Sequence, residues 1–369
     1  MSEKTYRIGL VGCGGMGRHH LNCIESVPDC ECVALCDVLE ENLKKTGEQF
    51  GIDSHFTDFD QMYQEAELDL VVVATQTRDH HGPTVAAAKH GVHILCEKPI
   101  SIDPAEADEM VAATRKAGVK FSIHQQNHVN AYTIKAQQLI AEGLIGDVLL
   151  VRGRNKAGRK SGNEFMEMGT HITDMMMCAA GPPAWVSGTV FVENRLAEIG
   201  DIMEAKEMSP RDRDSGLVMG HRVLAQYGFV NGASGEVHFL PFTTRNNRNY
   251  GFDVIGTEGQ LAVRATEFGE ADPILWHLDR AMEGYPSDLD WKPIKAEGVT
   301  IENPVVTMYK KMFEAIEADS EPPSSGASGM FALEMILGIY ESHRQNGGRI
   351  SLPMTERSHP LERWRAEEG

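Results

Sequence analysis

A doubly wound, parallel α/β domain followed by an α+β domain is the fold class that the sequence predicts. Three observations carry it: a glycine-rich turn between a strand-sized apolar run and a helical stretch, an alternation of strands and helices up to about residue 124, and a change to paired strands beyond it. At 369 residues the chain exceeds what one core usually organises, so two domains are expected, 1–124 and 125–369.

Tyr6 to Val11 is the first apolar run, and Gly12-Cys13-Gly14-Gly15-Met16-Gly17 follows it. An apolar-periodic stretch from Met16 to Ser26 then reads as a helix. Strand, glycine turn and helix in that order give a G-x-G-x-x-G match its meaning. Gly12 permits the tight turn, Gly14 admits a pyrophosphate, and Gly17 allows helix and strand to pack closely. The next strand, Cys32 to Cys36, ends in Asp37, placed to accept hydrogen bonds from adenosine ribose hydroxyls. The same carboxylate repels a 2′-phosphate, so the predicted cofactor of this Rossmann domain is NAD rather than NADP. The alternation continues through strands at Asp69 to Ala74, Val92 to Cys96 and Val119 to Ile123. Helices are predicted from Pro83 to His90 and from Asp103, an N-cap, to Ala117, with Pro104 in its first position and Glu106 in its third.

Hydrophobic residues make up 41% of the chain and charged residues 24%, which excludes a disordered polymer. The net charge of -19 repels nucleic acid and anionic lipid, so neither is an expected partner. No apolar run approaches the span of a bilayer, and no secretory leader is apparent; a cytoplasmic protein is expected. Seven cysteines, an odd number, read as reduced thiols. Cys30-x-Cys32 lacks a second pair at ligand spacing, so no metal is expected.

Ligands of such sheets gather at the carboxyl ends of the strands, and one end is Glu97-Lys98-Pro99. Proline holds Lys98 extended, so its amine projects from the strand end. Beside a nicotinamide it can exchange a proton with a substrate hydroxyl. A second set is Glu167, His171 and Asp174, whose spacings of four and three place them on one face of a helix. A histidine flanked by carboxylates suits general acid/base work. The spacing equally permits a helix start capped by Thr170 or a satisfied polar cluster; a metal held by the three is less expected.

These residues resemble the family of glucose-fructose oxidoreductase, inositol 2-dehydrogenase and the rhizopine-catabolism proteins over nearly the whole length. The resemblance rests on GCGGMG, Asp37, TQTRDHHGPTVAAAKHGVHILCEKP, EMGTHITD and EPPSSGASGMFALEMILGIYESHR. It implies that Lys98 is the catalytic lysine and His171 the histidine acting on substrate, assisted by Glu167. It implies a cofactor site of Gly12, Gly14, Gly15, Met16, Gly17, Asp37, Thr75, His80, Glu97, Lys98 and Gln126. Substrate contacts would come from Lys98, His128, Arg154, Glu167, His171 and Asp174. Two positions depart from the family: Glu167 stands where aspartate is usual, and His128 where arginine is usual.

Beyond Gln125 a helix is predicted from Tyr132 to Glu142, then a strand from Val148 to Gly153 leading to the basic cluster Arg154-Asn155-Lys156. Hairpins are predicted for Val223 to Phe229 with Gly235 to Leu240, and for Phe252 to Gly256 with Gln260 to Arg264. Leu196 to Gly216 reads as a long loop or lid, and two late helices run from Pro304 to Ala318 and Ser328 to Gln345. In the family this region is an open, mostly antiparallel sheet carrying subunit contacts, so a homo-oligomer, dimer or tetramer, is implied. The predicted activity is NAD-dependent oxidation of a secondary hydroxyl of a sugar, glycoside or inositol-like polyol. The alternatives are an NAD-retaining enzyme that uses transient oxidation for β-elimination or glycoside cleavage, and a non-catalytic sugar- or NAD-sensing regulator.

Overall fold

A computed structural model of the chain describes residues 4–155, 162–208, 216–240, 250–264, 275–279 and 292–368. They divide into two compact units, one running to Gln126 and including Asn303–Met330, the other comprising Asn127–Glu302 and Phe331–Gly369.

The first unit alternates strand and helix. Its elements are β1 (Tyr6–Val11), α1 (Gly15–Ile24), β2 (Cys30–Cys36), α2 (Glu40–Phe50), β3 (His55–Phe56), α3 (Phe59–Glu65), β4 (Leu70–Val73), α4 (His81–Lys89), β5 (His93–Cys96), α5 (Pro104–Ala117) and β6 (Phe121–Ile123). The strands pair in parallel in the order β3-β2-β1-β4-β5-β6. This is the doubly wound Rossmann order, with its crevice where the winding reverses between β1 and β4. Leu70, Val71, Val72 and Val73 of β4 are each 0% exposed, as a strand covered on both faces requires. Asp103 caps α5 by accepting from the Ala105 N–H at 2.7 Å, and Gly118, at φ +70°, ends it. Glu106 does not close a box onto the Asp103 N–H. The Ser101 hydroxyl takes that N–H and donates in turn to Glu106.

The second unit begins with α6 (Ala131–Ala141), β7 (Val148–Arg154) and α7 (Gly162–Ala180). There follow β8 (Pro183–Val192), β9 (Arg195–Leu196), β10 (Met203–Glu204), α8 (Ala205–Met208), β11 (Leu217–Val218), β12 (Arg222–Phe229) and β13 (Ser234–Phe239). Then come β14 (Gly251–Gly256), β15 (Gly259–Arg264), β16 (Leu275–Asp279) and β17 (Lys292–Ile294). The chain continues through α9 (Pro304–Glu317), α10 (Gly326–Arg344), β18 (Ile350–Ser351) and α11 (Pro360–Glu368). The large sheet runs β17-β16-β15-β14-β7-β13-β12-β8-β18, with β9 on β8. Among its described pairings all but β7 with β13 are antiparallel. Both predicted hairpins are present, β12 with β13 and β14 with β15.

Helix α7 lies directly on this sheet. A Cβ at Gly153 of β7 would stand 2.4 Å from Ile172 and 2.8 Å from the Met176 sulfur, so only glycine permits the approach. On α7 itself, a Cβ at Gly169 would stand 2.5 Å from Ile336 of α10. These two contacts fix the helix that carries Glu167, His171 and Asp174.

Two expectations need correction. The segment from Leu196 to Gly216 is not one long loop. Its described part holds a 3-10 turn at Ile199–Asp201, α8 and the small β10–β11 pair, while 209–215 lie outside the described residues. Nor does everything after 125 belong to the second domain, because Asn303–Met330 returns to the first unit. The reason is burial. Phe313 of α9 stacks on Tyr6 at 4.0 Å, and Tyr309 bonds the fully buried His20 of α1. No helix among the described residues is long and apolar enough to cross a membrane.

Candidate active site

The glycine turn behaves as a phosphate cradle should. Gly12 holds φ +97°, and a Cβ there would sit 2.6 Å from the Ala74 backbone. A Cβ at Gly17 would lie 2.0 Å from the Gly12 carbonyl oxygen, so α1 and β1 close up only with glycine. At Gly14 and Gly15 nothing stands within 4 Å, which leaves the N-terminus of α1 open to an anion. Gly14, Asp37, Val38, Asn42 and Thr75 line a cavity of about 570 Å³ beside the turn.

Asp37 accepts from the Cys13 N–H at 2.8 Å, the Leu39 N–H at 2.9 Å and Asn42 at 3.2 Å. Two backbone donors fix the carboxylate, and the Asn42 amide is the exchangeable one that a ribose hydroxyl can replace. Val38 is 84% exposed beside it, an apolar surface for an adenine face. The residues present therefore fit the adenosine and pyrophosphate of a dinucleotide. Sequence reasoning had not found Asn42, whose only signal was its position one turn into α2.

Glu97 and His80, expected to line the cofactor site, are both buried. Glu97 is 6% exposed, and its Oε1 accepts from His20 Nε2 at 2.9 Å and His124 Nδ1 at 2.7 Å. The Lys98 N–H reaches Oε2 at 3.2 Å. Burial alone would raise the Glu97 carboxyl, but His124 and His20 outweigh it and hold the group well below the usual carboxylate range. Burial pushes His20 down, so it is neutral, donating from Nε2 and accepting the Tyr309 hydroxyl proton at Nδ1 over 2.8 Å. His80 is likewise lowered by burial and donates from Nδ1 to the Pro99 carbonyl at 2.9 Å. Both sides of Lys98 are thus anchored, through Glu97 before it and Pro99 after it. Lys98 itself is half-buried.

In the second unit α7 is helical throughout its described residues, which sets aside the reading of Thr170 as a helix cap. Glu167, His171 and Asp174 share one face, with His171 6% and Asp174 1% exposed. His128, in the 3-10 turn Gln126–Val129, places Nδ1 3.1 and 3.2 Å from the two Asp174 oxygens and 3.4 Å from the Cys178 sulfur. Burial opposes charge on His128, but Asp174 and Cys178 hold it well above the ordinary imidazole range. Cys178 was not anticipated, although its offset of four from Asp174 on a helix was a readable signal. Arg154 does not stand alone on a rim: its Nε donates to Asp253 at 2.6 Å, and Arg264 forms an ion pair with the other carboxylate oxygen at 2.7 Å. Lys156 lies outside the described residues. Gln126 closes the first unit, half-buried.

Residues 6–125 match a family described as an oxidoreductase family with an NAD-binding Rossmann fold. The chain is 25% identical to D-apiose dehydrogenase from Paraburkholderia graminis over 375 residues, covering 97% of this chain and 92% of that protein. It is 28% identical to myo-inositol 2-dehydrogenase from Thermotoga maritima over 207 residues, which is 53% of this chain and 62% of the relative. Levoglucosan dehydrogenase, solved with NADH and levoglucosan, shares the fold with a TM-score of 0.76 at 20% identity, over 95% of this chain and all of that one. With its glycine turn, the carboxylate at the end of β2 and its parallel sheet, the N-terminal unit is an NAD-binding Rossmann domain that matches this oxidoreductase family over residues 6–125, and the chain is similar to sugar and polyol dehydrogenases.

Proposed function

We propose that the protein oxidises a secondary hydroxyl of a sugar, glycoside or polyol with NAD as acceptor, and that Lys98 and His171 are its acid/base groups. The observation that carries this reading is the position of Lys98. Val11, Val73 and Cys96 lie side by side in register at the ends of β1, β4 and β5. Strands are ~4.8 Å apart, so the chain at Lys98 leaves the sheet roughly 10 Å from the glycine turn, on the same edge. Relatives named for inositol, apiose and levoglucosan support a polyhydroxylated substrate.

NAD held along the glycine turn and Asp37 would supply the hydride acceptor for the carbinol carbon. Lys98 takes the hydroxyl proton as that hydride leaves, so a carbonyl forms with charge balanced at the substrate. His171 hydrogen-bonds the reacting oxygen and relays the proton, with Glu167 one helical turn before it to assist. Asp174 and His128 supply further polar contacts to the hydroxyls. A homo-oligomer is the expected assembly, since the sheet face turned away from α7 carries Phe191 and Leu224, the latter 37% exposed. A cytoplasmic setting suits seven free thiols.

The test is a panel of polyols, aldoses and glycosides incubated with NAD and followed by NADH absorbance. Accumulating NADH supports the reading; aglycone release or dehydration without NADH would replace it by the transient-oxidation cycle.

A further inference from the structure

We propose that His128, Asp174 and Cys178 form a binding site for a thiophilic divalent cation of the zinc class. One imidazole nitrogen, one carboxylate and one thiol make a donor set suited to zinc and unsuited to magnesium or calcium.

The geometry is close to that of a formed site. A tetrahedral ion with bonds of ~2.0 Å to nitrogen and oxygen and ~2.3 Å to sulfur sets its ligands ~3.3 Å apart for N to O and ~3.5 Å for N to S. The structure has 3.1 and 3.2 Å from His128 Nδ1 to the carboxylate oxygens and 3.4 Å to the Cys178 sulfur. All three ligand atoms lie within 4.8 Å of one another. Asp174 and Cys178 are four apart on α7, the helix fixed by its close approach at Gly153 and Gly169. An ion pair accounts for His128 and Asp174; it does not account for a thiol set against the same nitrogen. The His128 side chain is 23% exposed, so an ion has a way in and water a fourth position.

Binding releases the thiol proton, and the proton on His128 Nδ1, to solvent. The dication then meets one thiolate and one carboxylate, and the site is neutral overall. The contrast with His20, Glu97 and His124 supports the assignment. That cluster also offers three donors within 4.8 Å, but its histidines converge on a single carboxylate oxygen, it has no thiol, and it is buried throughout. It is a hydrogen-bonded frame.

One consequence rests on the function proposed above: an ion that takes His128 and Asp174 withdraws them from substrate, so occupancy lowers turnover. The test of binding is independent of activity. Full-length protein freed of metal by chelation is titrated with Co2+ and its absorption spectrum recorded. The expected result is a thiolate-to-cobalt charge-transfer band with tetrahedral d–d bands, saturating at one ion per chain and bleached by Zn2+. Cys178→Ser should lose the charge-transfer band while keeping NADH formation, and His128→Gln should weaken binding at least about tenfold. Absence of the bands in the wild-type protein, or an equal charge-transfer band in Cys178→Ser, overturns the site. Zn2+ should depress NADH formation in the wild type and not in Cys178→Ser. Equal inhibition of both, or of neither, overturns the regulatory consequence. A chain that binds Co2+ through Cys178 yet turns over no polyol would sink the functional reading while the site stands.

Discussion

The two histidine–carboxylate clusters use similar residues to opposite ends. In the first unit Glu97 is sealed with His20 and His124, and each ring nitrogen that meets it has one partner and one orientation. In the second, Asp174 meets His128, which is partly exposed, with Cys178 against the same nitrogen. Sealing turns ionisable groups into structure, because an isolated charge in a dry interior is too costly to move. Partial exposure leaves them available for chemistry. Lys98 stands just outside the sealed cluster, one residue beyond Glu97, and inherits its rigidity without its burial.

Variants test the contrast. The largest effect is expected at Lys98: Lys98→Ala should lower kcat by ~10²- to 10⁴-fold with NAD affinity nearly unchanged. Single-turnover kinetics beside NAD titration measure both, and unchanged turnover removes Lys98 from the mechanism. Next comes the sealed frame. Glu97→Leu strands two histidine donors and should cost about 3–5 kcal/mol in urea unfolding; a loss below about 1 kcal/mol would mean that the frame is dispensable.

The same carboxylate sets a pH response. Its folded pKa lies well below the unfolded value, so its stabilisation is complete above the ordinary carboxylate range. It is lost as pH falls through the depressed folded value. Acid unfolding of Glu97→Gln should therefore be less pH-dependent than that of the wild type in this window, and matching curves would contradict it. Asp37→Ala comes next, losing a charged acceptor worth about 1.5–3 kcal/mol. The NAD-over-NADP ratio of kcat/KM should shrink, and an unchanged ratio refutes the ribose role. The smallest effect belongs to the open cluster: His128→Gln should change unfolding free energy by about 1 kcal/mol, because the glutamine amide can still donate to the buried Asp174 carboxylate. A larger loss would show that this cluster, too, is structural.

What was legible in the sequence was local. β1, the glycine turn and Asp37 announce themselves because strand, turn and carboxylate follow one another within about thirty residues. Helix α2 went unread because its sequence, EENLKKTGEQF, buries only Leu43, Thr46 and Gly47, too narrow an apolar stripe to stand out. Strand β8 was missed for the opposite reason, since Pro183, Ser187 and Gly188 interrupt its pattern. The place of Lys98 just beyond β5 and the shared face of Glu167, His171 and Asp174 on α7 were readable from motif and spacing. The partners of Glu97 were not: His20 is 77 residues away and His124 is 27, and the fold brings together what spacing cannot. His128 with Cys178, 50 residues apart, was hidden in the same way.

The return of Asn303–Met330 to the first unit has a consequence for how the protein is made. The ribosome releases the whole Rossmann sheet early, but the segment that covers Tyr6 and bonds His20 emerges roughly two hundred residues later. At ~5–20 residues per second that is a wait of about 10–40 s, during which the nascent sheet keeps an apolar flank uncovered. Cutting the gene at the apparent domain border near residue 126 would make that flank permanent. A stand-alone nucleotide-binding fragment of this chain must therefore carry the distant segment, spliced back or supplied as a second peptide.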